Sequence, residues 1–278
     1  SYYKSFKSSV NDFTIDMPSG FDYQIDYEDK ETGMVTSTNA SFYDTDGGFS
    51  KTALKSMELV EGIRVLNYNA RVSTHKLAWN GMEQSEYYRE AVDEVTKVYG
   101  MNGGYWQYDD KYGELFTEIY CSNYDDIWEA FPNNIRWDGA DRKRFESGEQ
   151  VLVLFNTEET DSSLTAGTVI HIPTASGNID VEAAAVGTPA NVLDGVPYGG
   201  KYYTIYGSEA LGERIAAADG KEFKYTQAEF IFDNYRDAEF TAQQLSIIAV
   251  RNGGSYTSRY GELKNQYKSI MHEFFMYG

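Results

Sequence analysis

Carboxylates are the most abundant side chains in this chain that could do chemistry, and three adjacent pairs stand out: Asp109-Asp110, Asp125-Asp126 and Glu158-Glu159. Cleaving a glycosidic bond takes two carboxyl groups that face each other across it. Neighbours on a strand point to opposite faces, and 43 Asp and Glu among 278 residues make such pairs by chance. No catalytic residue is therefore assigned, and the chain is not expected to be an enzyme. Asp44-Thr45-Asp46-Gly47 opens like a calcium loop, but Gly48 and Phe49 follow and Lys55 stands where a bidentate Glu belongs. A turn leading into a helix is the better reading. Gly195 to Lys201 has the glycine and lysine spacing of a phosphate loop, yet Tyr202 replaces the metal-binding hydroxyl and the run continues like a strand. His75, His171 and His272 are too scattered for a zinc cage, and the lone Cys121 lies among strand-like aromatics rather than at a basic helix start. Neither a metal nor a cofactor is expected.

The most unusual local feature is aromatic. Ten Phe, Tyr and Trp residues fall between Tyr105 and Trp137, and such side chains stack on sugars, peptides and cations. Most aromatics at strand and helix spacing build core, so ligand contact is assigned to the loop-like Tyr105, Trp106 and Tyr108. Charge narrows the partners. With 24 Lys and Arg against 43 Asp and Glu, the net charge of −19 opposes binding to nucleic acid or to an anionic bilayer. A cationic peptide or protein is the natural electrostatic partner, although a solvated acidic surface has the same composition.

The elements that must position these residues can be read from periodicity. Phe13 to Met17 alternates as a strand that stops at Pro18-Ser19-Gly20, and Phe21 to Tyr27 is a second extended segment. Ser50 caps a helix carrying Leu54, Met57 and Val60, Gly62 stops it, and a strand follows from Ile63 toward Leu77, giving a strand, helix, strand unit over about residues 36 to 78. The same order returns late: a strand over Tyr202 to Tyr206, a helix capped by Ser208 and stopped by Gly220, then a strand from Phe223 to Phe232. The two strand, helix, strand units are expected to share a sheet. After Asp237 one helix runs to Gly253-Gly254, and a last amphipathic helix covers about Ser258 to Tyr277. Between the halves, a charged helix is expected over Gln84 to Lys97. Strands follow at Leu115 to Cys121, Gln150 to Phe155, Thr168 to Ile172 and Ile179 to Val186.

In Leu54-Lys-Ser-Met-Glu-Leu-Val-Glu-Gly62-Ile-Arg-Val a helix ends at a glycine and an apolar strand follows at once. Phe145-Glu-Ser-Gly-Glu-Gln-Val-Leu-Val153, Leu164-Thr-Ala-Gly-Thr-Val-Ile-His-Ile172 and Ala184-Ala-Val-Gly187 follow in order. Together these segments resemble the extracytoplasmic domain, the MacB-like periplasmic core, of MacB-like and FtsX-like ABC transporter permeases. The resemblance implies an α+β fold: a discontinuous porter-like subdomain over residues 1–78 and 188–278, with an inserted β-rich subdomain over 79–187. It further implies an extracytoplasmic location at the cell membrane, a soluble piece between two membrane helices, and a separate ATPase subunit or domain as partner. Lipoproteins, antimicrobial peptides or toxic compounds are the cargo it implies. The chain begins at Ser1 with no signal-like segment and is read as a piece of a longer protein. A secreted carbohydrate-binding or glycoside-cleaving domain is the alternative.

Overall fold

The computed structural model describes residues 12–17, 21–28, 32–42, 48–74, 77–82, 95–100, 105–106, 117–130, 139–155, 163–187, 203–233 and 236–259, with helical backbone also at 261, 265, 268, 269 and 272. Strands β1 (Phe13–Asp16), β2 (Phe21–Glu28) and β3 (Val35–Phe42) precede helix α1 (Lys51–Glu58). Then come β4 (Ile63–Thr74), β5 (Ala78–Trp79), β6 (Val95–Gly100), β7 (Tyr105–Trp106) and β8 (Thr117–Cys121). Two short helices, α2 (Tyr124–Ala130) and α3 (Arg142–Glu146), lead to β9 (Gln150–Phe155), β10 (Val169–Thr174) and β11 (Gly177–Gly187). The order closes with β12 (Tyr203–Gly207), α4 (Glu209–Ala218), β13 (Gln227–Phe232), α5 (Ala238–Arg251) and β14 (Ser255–Ser258). The chain is α+β and folds as two compact units.

Unit 1 is assembled from three separate stretches, Ser1–Pro18, Gly47–Asn69 and Lys224–Gly278. Its strands pair antiparallel in the order β14, β1, β13, β4. Alternation decides the inner face: Phe13 and Ile15 are buried on β1, and Ala228, Phe230 and Phe232 on β13. Phe13 meets Phe230 edge-on at 6.2 Å between ring centres. Helix α1 begins where Ser50 accepts a hydrogen bond from the Ala53 amide, and it turns Ala53, Leu54 and Met57 inward. On α5 the buried residues Ala238, Thr241, Leu245 and Ala249 recur at steps of three and four, and the helix packs against α1 and β1. Asp12 locks the sheet corner: its carboxylate accepts the Phe232 amide at 2.9 Å from a buried position.

Unit 2 comprises Ser19–Asp46 and Ala70–Phe223. The end of β4 pairs with β8, and the order continues β12, β9, β11, β10, β5; β8 runs parallel to β12 and β9 parallel to β11. Val151, Leu152, Val153 and Leu154 are all buried on β9, the continuous apolar run of a strand covered on both faces. Phe145 from α3 packs with Leu152, Leu154, Tyr120, Tyr206 and Ile127, each such side chain contributing about 1.5–3 kcal/mol by its burial. Ser208 caps α4 through the Leu211 amide. Two glycines set how closely this helix lies on its sheet. At Gly148 φ is +78°, and a Cβ there would stand 2.8 Å from Leu211 N; at Gly212 a Cβ would stand 2.3 Å from Phe223 Cε2 and 2.9 Å from Cys121 Sγ. A second, antiparallel sheet joins β3, β2, β6 and β7 in that order.

Most expected elements appear, and four details differ. Val95 to Lys97 belong to strand β6 rather than to the end of a charged helix, because the β-branched run Val-Thr-Lys-Val-Tyr pairs with β2; residues 83–94 lie outside the described residues. Strand β13 starts at Gln227, with Tyr225 making only an isolated bridge to Phe49. The strand that opens the unit read over about residues 36 to 78 is β3, but it pairs with β2 in the smaller sheet, so the two strand, helix, strand units do not share one sheet throughout. Strand β14 and helices α2 and α3 have no counterpart in the sequence reading, the helices being only seven and five residues long, too short for a helical period to show.

Candidate functional site

The aromatic residues singled out by type map to the smaller sheet of unit 2. Tyr105 and Trp106 form β7, at the sheet's edge, and pair with Tyr99 and Val98 of β6; Tyr108 lies outside the described residues. Register then places each candidate in a row of the ladder. Tyr105 is opposite Tyr99, which is opposite Gln24, which is opposite Asn39. Trp106 falls in the next row, with Val98, Ile25 and Thr38. The two candidates therefore fall in adjacent rows of the ladder at the sheet's edge.

Charge is unevenly divided. Counted over the two units, unit 2 holds 33 Asp and Glu against 13 Lys and Arg, a net of −20. Unit 1 holds 10 against 11 and is close to neutral. The acidic character belongs to one unit.

A polar clamp lies between α3 and the strands behind it. Arg144 donates to both carboxylate oxygens of Glu182, at 3.3 and 3.1 Å, and to Glu149 at 3.2 Å. Gln150 is buried and completes the arrangement: its amide nitrogen donates to Glu182 at 2.8 Å and to the Gly139 carbonyl at 3.2 Å, and its oxygen accepts the Asp141 amide at 2.9 Å. The Gln150 hydrogen bond, then Arg144, holds the Glu182 carboxyl below the ordinary glutamate range. Asp141 in turn caps α3 through the Lys143 and Arg144 amides. Each of these contacts positions backbone rather than a reacting group. The motif reading caught Gly148 and the strand after it but not this clamp, since Glu182 is 32 residues from Gln150 and local spacing does not connect them.

The described carboxylate pair behaves similarly. Asp125 binds Arg142 at 2.7 Å and Asp126 is hydrogen-bonded by Asn123, so the two diverge as neighbours on a helix turn. Asp109-Asp110 and Glu158-Glu159 lie outside the described residues. Burial pushes the Cys121 thiol up to about 12, with Glu209 adding in the same direction, which suppresses the thiolate form. Burial likewise pushes the Tyr206 phenol up to about 12, against the opposing pull of Arg71. His171 pairs with Asp180 at 2.6 Å across the β10–β11 hairpin. Among the described residues no cluster of His, Cys, Asp and Glu is arranged to hold a metal.

Two solved structures are similar to this chain. The first is the extracellular domain of the noncanonic ABC-type transporter YknZ from Gram-positive bacteria, at 10% identity over 88% of this chain and 98% of that one, with a TM-score of 0.43. The second is the periplasmic region of MacB from Actinobacillus actinomycetemcomitans, at 8% identity over 90% of this chain and 94% of that one, with a TM-score of 0.45. The second bears a name that the sequence motifs resemble, and the first is likewise the extracellular domain of an ABC-type transporter. No family model matches the sequence, and no curated protein does. At identities this low, function is argued from the chain's own residues.

Proposed function

We propose that this chain is the extracytoplasmic domain of an ABC transporter permease, coupling ATP-driven motion to an external substrate or partner. The observation that carries the reading is the discontinuity of unit 1. It is built from three stretches of chain with unit 2 inserted between them, and it contains the α1, Gly62, β4 segment of the first motif. The later motifs fall in unit 2, on α3 and β9, on β10 and on β11, in the order the resemblance requires. No described helix is long and apolar enough to cross a membrane, so the reading places the membrane segments and the ATPase in other parts of the transporter.

Within this reading, the strongly acidic unit 2 takes the external partner, and a cationic peptide or protein is the class it suits. Ligand contact stays with Tyr105, Trp106 and Tyr108. Tyr105 and Trp106 are adjacent on the edge strand β7. The deciding experiment is to sequence the full-length gene product on both sides of this chain. The reading expects an apolar stretch of about 20 residues before Ser1 and another after Gly278. Absence of both overturns it and leaves a secreted binding domain.

A further inference from the structure

Three Asn-Gly pairs occur in the sequence, at Asn80, Asn102 and Asn252, and the pair at Asn102 lies outside the described residues. Such a pair carries its own chemistry: glycine has no Cβ to keep its nitrogen away from the preceding carboxamide, so the main chain can attack the side chain. The fold treats the two described pairs differently. Asn252 ends α5, and its carboxamide nitrogen donates to the Ile248 carbonyl at 2.8 Å. The Gly253 amide, the group that attacks, donates to the Val250 carbonyl at 3.0 Å. Both reacting groups are therefore held by the last turn of the helix.

Asn80 is exposed in the turn after β5, and among the described residues no hydrogen bond holds its carboxamide or the Gly81 amide. The residues on either side of the pair are anchored. Trp79 is buried and its indole Nε1 donates to Ser163 Oγ at 2.9 Å, and Met82 is buried as well. Strand β5 itself is only two residues long, joined to β10 by the pairs Ala78 with His171 and Trp79 with Ile170, at the edge of the strands of unit 2.

We infer that Asn80 is a site of spontaneous modification in the folded chain, converted through a cyclic imide to aspartate and isoaspartate, and that isoaspartate there detaches β5 from β10. Hydroxide takes the Gly81 amide proton and the nitrogen bonds to Asn80 Cγ. The bond from Cγ to the side-chain nitrogen breaks, and ammonia leaves with a proton from water. Water then opens the ring at one of its two carbonyls, with nothing oxidised or reduced. Opening at the main-chain carbonyl leaves isoaspartate, whose backbone runs through Cβ and Cγ and is longer by one carbon between Trp79 and Met82. Because both of these side chains are buried, the extra atom displaces one of them, and the two-residue ladder of β5 is the pairing with least to hold it.

The test incubates the intact chain at mildly alkaline pH, folded and in guanidinium chloride, and follows both asparagines by peptide mass mapping. In the folded chain Asn80 is expected to convert about tenfold or more faster than Asn252, and in denaturant the two are expected to differ by less than about threefold, because only the fold restrains Asn252. A ratio as large in denaturant as in the folded chain overturns the inference. So does an Asn80 that converts in denaturant and persists in the folded chain. The folded product carrying isoaspartate at position 80, separated by chromatography, is expected to exchange the amide hydrogens of 77–82 and 169–172 severalfold faster than the fresh chain. Asn80→Ser changes an exposed side chain and removes the reacting carboxamide, and this variant, incubated in the same way, should keep the exchange rates of the fresh chain. Unchanged exchange in the isoaspartate form overturns the detachment of β5, as does equal loosening in the incubated Asn80→Ser chain.

Discussion

Replacing Gly148 by alanine tests the close approach between α4 and the turn before β9. Two costs are expected. At φ of +78° an L side chain costs about 1–2 kcal/mol in the left-handed region. The added methyl would also lie 2.8 Å from Leu211 N and 2.9 Å from its Cα, where backbone rather than a flexible side-chain end must give way. Overpacking of this kind costs about 1–3 kcal/mol. The same shift disturbs the hydrogen bond from Arg214 to the Gly148 carbonyl, 2.7 Å long. The sum is about 3 kcal/mol, a fall in Tm of roughly 6–12 °C for a domain of this size. Gly220 supplies the control: its φ is +71°, and a Cβ there meets nothing within 4 Å. Gly220→Ala should therefore cost only the conformational part, about 1–2 kcal/mol. Urea unfolding of the two variants beside the parent measures the difference. Equal destabilisation would refute the packing argument, since the left-handed backbone is common to both.

Four further outcomes follow from the same geometry. Cys121 should resist a thiol reagent in the folded chain and react on unfolding; Gly212→Ala, whose methyl presses on both Cys121 and Phe223, should speed the labelling. Glu182 binds protons more weakly folded than unfolded. Its contribution is thus fully present above the ordinary value of 4.5 and lost as pH falls below it, so Glu182→Gln should flatten the decline of the urea midpoint from about pH 6 to about pH 3. Tyr206 has the opposite sign: its contribution holds below pH 10 and is lost as pH rises toward about 12, and Tyr206→Phe should reduce that alkaline loss. Asp12→Ala should destabilise unit 1 by about 1–3 kcal/mol, by leaving the buried Phe232 amide without its acceptor; Asp12→Asn, which keeps an oxygen there, should recover much of it in the same unfolding assay.

Where structure follows from neighbours in sequence, residue type was enough. Ser50 and Ser208 cap their helices through a single side-chain oxygen three residues upstream of the amide, so a hydroxyl before an apolar period locates both starts. The alternation of Phe13 and Ile15 likewise foretells an inner face. For strand β3 the place in the chain was legible but the sheet was not: Val-Thr-Ser-Thr-Asn-Ala-Ser-Phe has almost no apolar alternation, and eight pairings to β2 set it in the smaller sheet. For Tyr105 and Trp106 the type was legible but the setting was not. A two-residue strand has no period of its own, and its register is decided by β6. The Arg144, Glu182 and Gln150 clamp was hidden for a related reason, its members meeting only once β9 and β11 are side by side.

The uneven division of charge confines the chain's electrostatic response to one unit. The excess of −20 belongs to unit 2, and unit 1 is nearly neutral. An anionic envelope surface therefore repels unit 2 and leaves unit 1 almost indifferent, and an anion-exchange matrix holds the chain by unit 2. Both effects fade beyond a screening distance of about 8 Å at physiological salt. Composition alone thus decides which unit a charged boundary acts on before any specific contact forms.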